Sequence, residues 1–202
     1  MSPRPRLSKQ HPNYPSAIRL TAWNQIAELG AANLSLRAIA RELKIAVTSI
    51  YHYFSTRDDL VTALIVEAFN SLADSQEAIL AEHLASALPA QLSALGLGYR
   101  NWAVTNPQRY QLIFGTPIPH YQAPEEVTIP AAARALIPLQ KIVQGMACAG
   151  SLRTGKLAPM TPELKSMLKA WQDFEGPAAQ TLGKMRIPSS PGSLGLGHRI
   201  PI

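Results

Sequence analysis

The sequence predicts an all-α chain, with an N-terminal three-helix unit built on a helix-turn-helix and a helical bundle after it. Three observations carry this. Leu36, Ile39, Ala40 and Leu43 recur at i, i+3, i+4 and i+7, which is one apolar face of an α-helix. A second short stripe, Ile45, Ile50 and Phe54, follows a break at Lys44. No strand period and no internal repeat is evident in the 202 residues.

Residues 1–15 are basic and Pro-rich, with Arg4, Arg6 and Lys9 among Pro3, Pro5, Pro12 and Pro15, and read as a flexible arm. Helix one is expected over Ser16 to Leu29, where Ile18, Ala22 and Ile26 step by four; Gly30 stands where an αL glycine ends a helix. Ser35 is the expected N-cap of helix two and Leu43 its last core residue. Lys44-Ile45 is the turn, whose first position needs φ > 0, at a cost on the order of 1 kcal/mol for a residue with a side chain. Helix three is expected from Ala46 or Val47 to Phe54. Thr56 then caps helix four, with Asp58 and Asp59 facing the positive end of its dipole. Helix four carries Leu60, Val61, Leu64, Ile65, Ala68, Phe69 and Leu72 and reaches towards Leu80. Its ~25 residues span roughly 37 Å, enough to couple the first unit to the rest of the chain.

Beyond it, Leu84 to Asn106 holds one or two helices, stopped at Asn106-Pro107. Pro107 to Phe114 is a short helix. Gly115 to Pro130 is a loop with four prolines, and Ala131 to Met146 an Ala-rich helix with Pro138 as a possible kink. Gly150 to Thr161 is a loop, and Pro162 to Glu175 a last amphipathic helix. The pattern then collapses, and 187–202 reads as a disordered tail. The expected division is 1–15 arm, 16–62 helix-turn-helix domain, 63–186 helical domain and 187–202 tail.

Composition narrows the function. Hydrophobic residues make up 47% and charged residues 16%, so a sizeable core is available. The net charge of +6 favours an anionic partner. It is uneven: residues 1–60 carry eight Lys/Arg against four Asp/Glu, and 61–202 carry eleven against nine. The lone Cys148 fits a reducing, cytoplasmic setting and reads as a buried small hydrophobe. No signal peptide, transmembrane run, cofactor motif or metal-ligand spacing is expected, and the five scattered histidines make no HxxxH or HExxH. An enzyme is therefore not expected.

Helix three carries Val47, Thr48, Ser49, Tyr51, His52 and Tyr53 between its apolar anchors. A short helix with such an outer face is built to enter the DNA major groove. Thr48 and Ser49 suit base edges and Val47 a thymine methyl. Tyr51 and His52 suit phosphates at the rim. Arg37, Lys44, Thr56 and Arg57 are expected to hold the backbone on either side. Phe54 is read as core, and Tyr53 stands between core packing and a DNA contact.

Residues 16–62, through LSLRAIARELKI, TSIYHYF and STRDDL, resemble the DNA-binding domain of TetR-family transcriptional regulators. Residues 101–124, NWAVTNPQRYQLIFGTPIPHYQAP, resemble the ligand-binding domain of the TetR subgroup named for a Trp-His-Gly signature. Trp171 and Gly176 match that signature, but Glu175 stands in place of its histidine. After Gly176 the chain reads GPAAQTLGKMRIPSSPG where the family has an apolar final helix. The resemblance implies an all-α fold with an N-terminal DNA-binding domain and a helical ligand-binding and dimerisation domain. It implies a ligand-responsive repressor that binds a pseudo-palindromic DNA operator as a homodimer, weakened if the final helix is absent. The alternative is a dimerisation-impaired interaction protein that keeps its DNA-binding unit and pairs with another regulator. Tyr99, Trp102, Tyr110, Phe114, Met146, Met167 and Trp171 are expected to line a cavity for a small apolar effector. Arg109 and Glu175 are expected to be solvent-exposed.

Overall fold

The structure, a computed structural model, describes residues 13–151 and 161–162. Every regular element among the described residues is helical: α1 (Tyr14–Leu29), a 3-10 turn (Ala31–Asn33), α2 (Leu36–Glu42), α3 (Val47–Tyr51), α4 (Arg57–Glu82), α5 (Leu88–Thr105), α6 (Pro107–Phe114) and α7 (Glu125–Cys148). The chain divides into two compact units, Met1–Ile142 and Val143–Ile202. Among the described residues, the buried core and the ion pairs lie in the first. The expected helix over Pro162 to Glu175, the altered stretch after Gly176 and the tail lie outside the described residues, except for Pro162.

The helix boundaries follow from local chemistry. α1 begins at Tyr14, two residues before its expected start, because the Asn13 side chain accepts from Ser16 N at 3.4 Å. It ends at Gly30, whose φ of 77° is positive as expected, although its ψ of 158° is extended rather than αL. Ser35 caps α2 by accepting from Ala38 N at 3.4 Å. Lys44 adopts φ 54°, the left-handed turn position read from the sequence. α4 opens with a full capping box: Thr56 Oγ1 accepts from Asp59 N and Asp59 Oδ2 accepts from Thr56 N, both at 3.0 Å.

Three further features differ from expectation. α3 stops at Tyr51, not Phe54. Tyr53 N and Phe54 N both donate to Ile50 O at 2.9 Å, and this tightened turn swings Phe54 into the core. Second, Glu125 to Pro130 is helical, not loop. Pro124 O accepts from Thr128 N at 3.1 Å and from Thr128 Oγ1 at 2.8 Å, and Glu125 and Glu126 complement the dipole of the first turn. Pro130 and Pro138 both lie inside α7, each lacking one backbone donor. Third, Cys148 ends α7 exposed, not buried.

One core joins α1 to α4. Ile18 and Ala22 from α1, Ile39 from α2, Ile50 from α3, and Leu60, Val61 and Leu64 from α4 are all fully buried. Leu112 and Ile113 of α6, and Ile118 and Tyr121 beyond it, pack against the same cluster. A second cluster joins Leu72 and Ala73 of α4 to Trp102 of α5 and Ala135 of α7. Gly98 allows the close approach of α5 to α4, since a Cβ there would collide with Ile79 Cδ1. Arg134 of α7 reaches α4, donating to Asp74 at 2.6 Å, Glu77 at 2.7 Å and Asn70 at 3.2 Å.

Thr56→Ala should lower unfolding free energy by about 1 kcal/mol. Asp59→Ala in the same background should cost less than it does alone, because the two halves of the box are coupled. Urea titration of the single and double variants measures both. Lys44→Gly should leave stability level or raise it by up to about 1 kcal/mol, because relief of the left-handed strain offsets the added entropy of the unfolded chain. A loss beyond about 1 kcal/mol would show that the lysine side chain stabilises the turn.

Candidate nucleic-acid interface

α3 is anchored on one side and open on the other. Ile50 is fully buried, while Thr48, Tyr51 and His52 are exposed and Val47 and Ser49 are half-buried. Thr48 lies three residues before Tyr51 and four before His52, so the three share one helix face. Tyr53 is 44% exposed, which removes it from the core. It packs instead against two other rings. His52 meets it edge-on at 5.2 Å between centroids, and Tyr14 of α1 lies 6.3 Å away on a tilted ring. Tyr14 was not among the expected site residues. Its signal was the Asn-Tyr-Pro run before helix one, which the basic arm absorbed.

The flanking cations divide into two kinds. Arg37 and Lys44 are exposed, and among the described residues neither forms an ion pair. They remain available to an anion. Arg57 is committed elsewhere. Its guanidinium donates to Leu34 O at 3.1 Å, Ala31 O at 2.9 Å and Ala32 O at 3.0 Å, and lies 3.4 Å from Asp58. It fastens the start of α4 to the turn between α1 and α2, a different task from the expected phosphate clamp. Thr56 likewise spends its hydroxyl on the capping box, although the residue is exposed. Gln25, another residue the sequence did not single out, accepts from Ser35 N at 3.2 Å and ties α1 to the cap of α2.

The residues expected to receive an effector are brought together only in part. Tyr99, Tyr110 and Phe114 form a ring cluster, with centroids 6.3 Å, 6.2 Å and 5.3 Å apart. Phe69 of α4 joins it edge-on to Phe114 at 6.1 Å. Phe114 is 48% exposed, so the cluster reaches the surface. The Tyr99 phenol is held above its ordinary value by burial, then by its hydrogen bond to Tyr110 and that group's charge. Trp102 is buried, and its indole N–H donates to Ser71 Oγ at 3.1 Å. Met146 is half-buried and belongs to the other compact unit. Met167 and Trp171 lie outside the described residues.

Arg109 is a correction. It was expected to be solvent-exposed, but it lies half-buried with Glu67 at 2.9 Å and the Trp23 ring centroid at 5.0 Å. Glu175, paired with it in that expectation, is outside the described residues. Among the described residues there is no group of three His, Cys, Asp or Glu able to hold a metal, and no helix long and apolar enough to cross a membrane.

Two family models match the chain. Residues 18–64 match the bacterial regulatory proteins of the tetR family, and residues 92–186 match the tetracyclin repressor-like C-terminal domain. The HTH-type transcriptional regulator Rv1816 of Mycobacterium tuberculosis is 36% identical over 154 residues, 76% of this chain. The chain spans 65% of that relative's length. The crystal structure of the regulatory protein SCO4313 is 34% identical, with 83% of this chain and 74% of that one covered and a TM-score of 0.58. A protein of unknown function from Rhodococcus sp. RHA1 shares the fold at 22% identity and a TM-score of 0.63, with 91% and 90% covered. With its helix-turn-helix inside the first match and its α6 and α7 inside the second, the chain belongs to the TetR family, a family of helix-turn-helix transcriptional regulators rather than of enzymes.

Proposed function

We propose that this regulator is a ligand-responsive repressor that acts in the cytoplasm and binds a pseudo-palindromic operator as a homodimer, one α3 per half-site. The observation that carries the proposal is α3 itself. Its single buried residue, Ile50, fixes the helix while Thr48, Tyr51 and His52 stand exposed on the opposite side. In this reading Thr48, Ser49 and Val47 meet base edges, and Tyr51, His52 and Tyr53 meet the rim of the groove. Arg37 and Lys44 neutralise phosphates. Thr56 and Arg57 contribute through the placement of α4, with Thr56 close enough to its helix start to touch the backbone as well. The effector is a small apolar molecule received by the aromatic cluster of Tyr99, Tyr110 and Phe114 with Trp102 behind it. Occupancy changes the separation of the two DNA-reading units, a coupling of about 1–3 kcal/mol.

The proposal is tested with purified protein and the DNA it enriches from random sequence. Tyr51→Ala should weaken binding to every sequence about equally, by ~5–10-fold for a lost charge-assisted hydrogen bond. Thr48→Ala should relax preference at one base position, by about 1–3 kcal/mol of discrimination. Lys44→Ala should lower the slope of log affinity against log salt by about 0.9. If Tyr51→Ala and Thr48→Ala both bind like the parent, α3 is not the reader. Light scattering tests the dimer separately. A clean monomer at micromolar concentration would sink the homodimer and favour pairing with another regulator.

A further inference from the structure

We infer that Glu67 is a positioning residue for DNA recognition, the joint through which the placement of α6 sets the placement of α1 and the reading face. The inference rests on the reading of α3 as the DNA reader. The Glu67 carboxylate sits on α4 and takes its donors from two other helices. Oε2 lies 3.1 Å from Arg19 Nε of α1. Oε1 accepts from Trp23 Nε1 of α1 at 3.0 Å and from Arg109 of α6 at 2.9 Å. The Arg109 guanidinium also lies 5.0 Å from the Trp23 ring centroid, so α6 meets α1 directly as well as through the shared carboxylate. All three charged side chains keep only 26–33% of their exposure, so solvent screens them less than a surface pair.

The segment that Arg109 belongs to is fastened at its other end too. Leu112 and Ile113 of α6 pack on the core that holds Ile18 and Ile50. Past α6, Ile118 and Tyr121 pack on that core, and the Tyr121 hydroxyl is 2.9 Å from Thr62 Oγ1 of α4. A shift of α6 therefore has two outcomes. Arg109 leaves Glu67, or α4 and α1 move with it. The first turn of α1 carries Tyr14, which packs on Tyr53 beside His52. Contacts thus run without a break from Arg109 through Trp23 and α1 to the rim of the reading face. The sequence pointed to α4 alone as the coupling element. The geometry adds a route through α1.

Coupling is reciprocal, so the effector need not be known: DNA bound at α3 must change the opening of α6. The measurement is amide hydrogen exchange of α6 in the full chain, with and without the DNA fragment that the parent enriches from random sequence. In the parent, DNA should slow α6 exchange by ~5-fold or more. Arg109→Leu keeps apolar bulk over Trp23 but cannot pair with Glu67. It should still bind the fragment, with DNA-dependent slowing reduced to less than ~2-fold. Arg109→Lys should restore most of the slowing. A merely structural role would speed α6 exchange with and without DNA and leave their ratio unchanged. That result, or a parent-like ratio in Arg109→Leu, overturns the inference. If Arg109→Leu does not fold, Glu67→Gln removes the charge while keeping an acceptor for Trp23, and the same loss of ratio is required of it. A parent that enriches no DNA would overturn the reading of α3 instead, and that outcome is seen before any variant is made.

Discussion

α3 has five residues, too few to hold helical shape alone. Nucleating a helix fixes several residues for a single hydrogen bond, and a helix this short gains almost no propagation. What holds it is burial. Ile50 is fully buried in one core with Ile18 of α1, Ile39 of α2, and Leu60 and Leu64 of α4, each itself fully buried. Phe54, turned inward just after the helix, closes the same core. The shape of the exposed face is thus set by residues that never touch a partner. Full burial of one isoleucine is worth about 1.5–3 kcal/mol. The strained turn at Lys44 belongs to the same arrangement. A left-handed residue there redirects the chain so that Ile50 joins the core that holds Ile39 while Thr48 and Tyr51 stay exposed.

α4 carries that core into the rest of the molecule. Its first turn is fixed twice, by the Thr56–Asp59 box and by Arg57 on three carbonyls before α2. Leu60, Val61, Leu64 and Ile65 then belong to the first core, and Leu72 and Ala73 to the second. Between the two lies Glu67, which gathers α1, α4 and α6 on one carboxylate. A half-buried carboxylate left with fewer donors is costly, so the three helices are constrained to move together. Family membership gives this architecture its context, and the geometry shows where this chain makes its own connections.

Much of the fold was legible because its signals are local. Ser35 and Thr56 announce helix starts through a hydroxyl, Lys44 occupies a turn that requires positive φ, and Asn106-Pro107 stops α5 where expected. Proline was the misleading signal. Pro130 read as loop, yet it lies inside α7, where a carboxylate-rich first turn and the Thr128–Pro124 bonds carry the helix past one missing donor. Phe54 misled in another way, since apolar spacing cannot distinguish a helical residue from one swung inward by the following turn. The residues proposed to read DNA were singled out by type, and of these Thr48, Tyr51, His52 and Tyr53 are exposed while Val47 and Ser49 are half-buried. The role of Arg57 was not legible, because its acceptors lie 23 to 26 residues away. Arg109 failed for the same reason. Its partner is 42 residues distant, and a lone charge among apolar neighbours reads as exposed until that partner is placed. The aromatic cluster needed Phe69, which periodicity assigned to the core face of helix four.

The claim on which the rest turns is that α3 reads the major groove. Methylation interference tests it most directly, because guanine N7 lies in the major groove and adenine N3 in the minor. On DNA enriched by the purified protein, methylation at guanine N7 in each of two related half-sites should block binding, with the blocked positions about one helical turn or a multiple of it apart. Interference confined to adenine N3, or none at any base, would contradict it.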